Sequence, residues 1–135
     1  MSGLGCEPLQ KAIYDALTAD SALMALVTGL YDRVPEGTAM PYVLFSQATA
    51  KDASNATDPA EEIRLELRVY SRSGGRKQAL DVLERIHTVL HFQAPALSGG
   101  GRIVWMRVEH ARVEMLRDGM TWQGTAAVVA LVEGI

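Results

Sequence analysis

The stretch Glu62-Ile63-Arg64-Leu65-Glu66-Leu67-Arg68-Val69-Tyr70, read on through Gly74-Gly75 into residues 76–90, decides the fold. Ile63, Leu65, Leu67 and Val69 alternate with Arg64, Glu66, Arg68 and Tyr70, the pattern of a strand with one face against a core. The two glycines break it. Beyond them Ala79, Leu80, Val82, Leu83, Ile86, Val89 and Leu90 recur at helical spacing, which predicts an amphipathic helix. A strand followed closely by such a helix lays the helix's apolar stripe on its own sheet, because neither element buries its apolar side alone. The rest of the chain reads as completing that sheet.

The 135 residues make about one domain, predicted to run over 1–135. A domain of this size buries roughly 68% of the surface of its unfolded chain and needs no staples. Apolar residues make up 48% and charged residues 21%, with a net charge of -3, so no basic stripe marks a nucleic-acid surface. One cysteine, Cys6, permits neither an intrachain disulfide nor a cysteine-based zinc site, and points to a reducing compartment. The opening Met1-Ser2-Gly3-Leu4-Gly5-Cys6-Glu7-Pro8 has neither a basic region nor an apolar run, which predicts no secretory leader. No window approaches the ~18 apolar residues of a membrane helix.

Taken in order, Leu9, Ala12, Ile13, Ala16 and Leu17 predict a helix over 8–18, and Asp20 or Ser21 caps a short second one. Residues 30–34 read as a short strand and 42–48 as another. The small, polar stretch 49–61 reads as a loop longer than the usual hairpin connection of about 2 to 5 residues, hence a candidate interaction element. Residues 91–101, with Pro95 and three glycines, read as a flexible connector. Residues 102–116 form a long strand in which Val104, Met106 and Val108 share one face and Ala111, Val113 and Met115 the other set. That change of parity predicts a bulge near Glu109 and His110. Asp118-Gly119 makes a hairpin turn. Trp105 and Trp122, on the two strands of that hairpin, read first as core residues, with packing across the hairpin as the alternative. The returning strand, 120–133, is apolar on both faces from Ala126 to Val132, and residues 42–45 are too. With two helical segments to cover one face, a neighbouring copy is expected to cover part of the other. Val129 and Leu131 are therefore candidate interface residues.

No residues assemble into recognisable catalytic chemistry. Ser73 and Ser98 lack the nucleophile-elbow context, and His87 and His91 have a metal-compatible spacing without carboxylate partners. Gly99-Gly100-Gly101 precedes no helix. Gly74-Gly75-Arg76-Lys77 opens one but matches no nucleotide fingerprint. Glu61-Glu62, and Glu109 with Glu114, read as solvated or interface charges rather than general acids. No catalytic, cofactor or metal residues are assigned.

The order of several pieces carries a family resemblance across nearly the whole chain. These are Leu9-Gln10-Lys11-Ala12-Ile13-Tyr14-Asp15-Ala16-Leu17, Gly29-Leu30-Tyr31-Asp32, Pro41-Tyr42-Val43, Leu67-Arg68-Val69-Tyr70-Ser71-Arg72, and Asp118-Gly119-Met120-Thr121-Trp122-Gln123-Gly124. Together they resemble the tail-completion, or tail-terminator, proteins of long-tailed phages, prophages and gene transfer agents. The resemblance implies an α/β fold of the α+β type, with two layers: a mostly antiparallel sheet of four to five strands and helices packed on one face. It implies a non-enzymatic protein of the virion neck, assembled in the bacterial cytoplasm. Such a protein forms a hexameric ring on the head-proximal end of the tail tube, stops tube growth and docks the head-tail connector. Its partners would be its own copies, the major tail tube protein and the connector, with DNA passing through unbound and no membrane contact. An acidic chain suits such a channel, since repulsion keeps the polyanion from sticking. From local pattern the interface residues are Lys51, Asp52, Asp58 and Glu61 of the polar stretch, Arg117 and Asp118 of the hairpin tip, and Val129 and Leu131. Two other readings differ in kind: a head-tail adaptor or stopper elsewhere in the neck, and a small ligand-binding or hydrolytic domain, which needs a pocket with convergent polar groups.

Overall fold

A computed structural model describes residues 5–134. Its strands are β1 (Leu30–Tyr31), β2 (Tyr42–Asp52), β3 (Ala60–Ser71), β4 (Arg102–Met115) and β5 (Trp122–Glu133). They form one sheet in the order β1-β2-β3-β5-β4. β1 runs parallel to β2, and every other pairing is antiparallel. Among the described residues three α-helices accompany the sheet: α1 (Cys6–Thr18), the single turn α2 (Ser21–Met24) and α3 (Lys77–Leu90). The class is α+β with a mixed sheet, as the sequence predicts.

The alternation in β3 does what its period requires. Ile63, Leu65, Leu67 and Val69 are buried, and across from them on β5 stand Ala130, Val128, Ala126 and Gly124. The large residues of one strand thus meet small ones on the next, and the small ones make room for α3. A Cβ added at Gly124 would come within 3.1 Å of Leu83 Cδ1. Ala79, Val82, Leu83, Ile86 and Leu90 of α3 join the same core cluster as these strand residues, and so do Leu9, Ile13 and Leu17 of α1. We call the face bearing these strand residues the core face. Leu80 does not belong to the stripe. It is 46% exposed, because one residue past Ala79 is a turn of about 100° around the helix.

Asp20 is the cap that starts α2. Its carboxylate accepts from Leu23 N at 3.0 Å and from Arg85 of α3 through Nε at 3.1 Å and Nη2 at 2.8 Å. One side chain therefore satisfies a helix end and ties the amino-terminal helices to α3.

Several boundaries differ from the sequence reading, each for a local reason. β1 stops at Tyr31 rather than Val34, as the chain turns away into Pro35-Glu36-Gly37, where Thr38 N donates to Pro35 O. β2 runs on to Asp52 and β3 starts at Ala60, so the predicted loop 49–61 shortens to the connection 53–59 between two hairpin arms. Its polar composition is that of strand residues at the sheet's edge, where solvent reaches both faces. The bulge near Glu109 is present, between Val108 and His110, and a second lies between Ile103 and Trp105. That second bulge puts Ile103, Met106 and Val108 in the core and leaves Val104 39% exposed, so Val104 does not share their face. Trp105 and Trp122 do not meet. Trp105 pairs with Leu131 and Trp122 with Met115, at opposite ends of the hairpin. Arg107 stacks on Trp105 and Arg76 on Trp122, at 4.8 and 5.1 Å from the ring centres.

Candidate assembly surfaces

The residues predicted for an interface fall into three separate places. Lys51, Asp52, Asp58 and Glu61 gather at the β2–β3 tip, where Lys51 pairs with Glu62 and Asp52 with Glu61. Asp52 Oδ1 accepts from Ser54 N at 3.1 Å and Ser54 Oγ at 2.7 Å, and these bonds hold its carboxyl below the usual range. Asn55 Oδ1 accepts from the amides of Thr57 and Asp58, which closes the tip into a defined turn. Glu61 reaches the start of α1, where its Oε1 accepts from Gly5 N at 2.6 Å. Burial, and then the charge of Glu61, pushes the Cys6 thiol up. Glu61 thus caps a helix, a role its position in the sequence does not signal.

Arg117 and Asp118 sit at the other end of the sheet. Asp118 accepts from the amides of Met120 and Thr121, both at 2.9 Å, and from Thr121 Oγ1 at 2.6 Å. The Thr121 hydroxyl, followed by the two amides, draws its carboxyl down to about 2. Arg72, just past β3, donates from Nε to Thr121 Oγ1 at 2.8 Å. Arg72 and Thr121 therefore fix the hairpin turn to the neighbouring strand; pairing of Ser71 with Trp122 brings them together, which spacing alone does not reveal. The same tip exposes Met115 and Met120, at 43% and 58%.

Val129 and Leu131 lie on the face opposite the core, and that face is not bare. Arg64 of β3 reaches across β5 to Glu109 of β4 at 2.9 Å and also pairs with Glu62 at 3.5 Å. Arg68 pairs with Glu66 at 2.5 Å, and Arg102 with Glu133. Beneath this layer Val129 has no exposed surface and Leu131 is half-buried. The expectation that a neighbouring copy covers part of this face needs a correction at the carboxy-terminal strand: long charged side chains of the same chain lie over it with their aliphatic stems. Positive and negative groups are interleaved there, so the net acidity of the chain is not concentrated on this face.

A cleft of about 930 Å³ lies between α1 and β1, with Tyr14, Tyr31 and Phe45 among its walls. Gln10 donates to Asp32 across it. The other charged groups there, Glu7, Lys11 and Arg33, are not held by one another in any hydrogen bond among the described residues. No group of three or more metal-ligating side chains occurs among the described residues. His87 and His91 stack with ring centres 4.3 Å apart, and His91 Nδ1 accepts from Val108 N at 3.1 Å, which ties α3 to β4.

Comparison with known proteins places this geometry. No curated protein sequence matches the chain significantly. A chain from the virion of a native gene transfer agent particle is similar to it, with 29% identity, a TM-score of 0.90, and coverage of 98% of this chain and 100% of that one. The gp17 protein of bacteriophage SPP1 shares the fold at 22% identity and a TM-score of 0.65, over 95% of this chain and 91% of its own. The model of the tail completion protein gp17 family matches residues 11–133, and the chain belongs to that family.

Proposed function

We propose that this chain, working as one domain over residues 1–135, caps the head-proximal end of the tail tube as a hexameric ring. There it ends tube growth and offers the docking surface for the head-tail connector. The observation that carries this reading is the family match over residues 11–133, joined to the likeness of a virion chain matched over its whole length. The protein acts by occupancy and turns over no substrate. Its partners are its own copies, the major tail tube protein and the connector; DNA passes through the ring without specific binding, and no membrane is involved. Assembly takes place in the bacterial cytoplasm and the product sits in the virion neck. Electron microscopy of particles made without this chain tests the reading. Overlong tubes without heads are expected. Tubes of normal length with heads attached would overturn it.

A further inference from the structure

Two stretches of sheet edge are left without a partner among the described residues, and they lie at diagonally opposite corners. β1 covers β2 only at Val43 and Leu44, so residues 47–52 form an open edge. At the other side of the sheet, the segment after α3 closes the first part of β4, where Phe92 N donates to Met106 O and Val108 N to His91 Nδ1. Residues 110–115 are left open. The open segments have six residues each, and most of their side chains are exposed on both faces. An open edge carries backbone donors and acceptors that a second strand can satisfy. When each such edge pairs with the other kind on a second copy, the copies join head to tail, the kind of contact that closes into rings.

From this we infer that residues 47–51 of one copy pair with residues 110–114 of the next, antiparallel, making one continuous sheet around the ring. The inference rests on the ring proposed above and names the contact that builds it. Strand direction agrees: β2 and β4 run in opposite senses within the sheet, so copies sharing a common strand direction meet antiparallel. Face parity then restricts the register, since core-face residues must meet core-face residues. Ala48 and Ala50 pair with Leu65 and Ile63, while Ala111 and Val113 pair with Ala126 and Gly124, all on the core face. Setting Ala50 opposite Ala111 and Ala48 opposite Val113 joins small apolar residues on that face. On the other face it sets Thr49 against Arg112, Lys51 against His110 and Gln47 against Glu114, with no two charges of like sign opposed in these five pairs; Asp52 then falls opposite the Glu109 bulge, where the pairing ends.

Geometry supplies an independent check. Thr49, Arg64, Val129 and Arg107 stand in one row across the sheet. Arg112 lies five positions beyond Arg107, one of them the Glu109 bulge, so the two edges are offset by about four residues, or about 13 Å. Four strands at about 4.8 Å span about 19 Å, and that offset corresponds to a strand tilt of about 35°. Closed sheets have tilts of roughly 35–45°. The diagonal placement of the open edges is therefore the stagger that a closed ring of sheets demands.

Disulfide trapping tests the pairing. Ala50→Cys with Ala111→Cys, in a Cys6→Ser chain assembled into particles, puts two thiols opposite each other at the spacing of paired strands. A ladder of cross-linked copies is expected from this pair and none from Ala50→Cys with Arg112→Cys, whose side chains lie on opposite faces. Rings without that ladder would overturn the pairing and leave the ring standing. Particles in which the chain forms no ring would overturn the ring and this pairing with it. Should the double variant not fold, amide exchange on the unmodified chain decides. Slowed exchange within 47–51 and 110–114 in the ring supports the pairing, and unchanged exchange overturns it.

Discussion

At Asp118 one carboxylate holds a whole turn, and its behaviour with pH follows from its three donors. Its folded value of about 2 lies below the ordinary one, so the ionised form is the one the fold favours. The stabilisation is therefore present above about pH 4 and is lost as pH falls toward 2. Following the Met120 and Thr121 amide signals through an acid titration should show the turn loosening in that window. Glu61 offers a second case. Glu61→Gln keeps an oxygen for the Gly5 amide but removes the charge that raises the Cys6 thiol. Faster modification of Cys6 by a disulfide reagent near pH 8 is expected, with the helix content of the chain unchanged. The sequence marked Asp118-Gly119 as a hairpin turn but not the three donors on its carboxylate, and marked Glu61 only as an interface charge. Their partners, Gly5 for Glu61 and Thr121 beside Arg72 for Asp118, meet them only through chain reversal or strand pairing.

Among elements, the β3–α3 unit was legible because period two and period 3.6 are both set by burial, and burial follows directly from apolar side chains. Leu67 and Leu80 show where that reading holds and where it overreaches. Leu67→Ala empties a fully buried site and is expected to cost about 2–5 kcal/mol in chemical denaturation. Leu80→Ala should change stability by within about 0.5 kcal/mol, since that side chain is largely in solvent. Asp20→Ala removes the α2 cap and should cost about 0.5–2 kcal/mol by the same measurement. The sequence offered Asp20 as a cap but gave no sign of Arg85, which lies 65 residues away and meets it only in the fold. Polar composition misled at residues 49–52, where an edge strand and a loop look alike. In β4, the parity change revealed the bulge at Glu109, whereas the one at Val104 left no trace, because Val104 is itself apolar.

For the whole molecule, the sheet's two open corners matter more than its faces. The carboxy-terminal strand, read from sequence as needing a neighbour's cover, is closed over by Arg64, Glu109 and the stacked Arg107 and Trp105 of its own chain. What a single chain leaves unfinished is backbone, at 47–52 and 110–115, and the stagger between those segments suits a ring. The proposed ring would end a tube by adding one layer onto which no further tube protein stacks. Measuring tube lengths by electron microscopy while purified tail tube protein polymerises with rising amounts of this chain tests that claim most directly. The account predicts that mean length falls as the ratio of chain to tube protein rises, with one ring at one end of each tube. A length distribution that stays the same once rings are in excess over tube ends would contradict it.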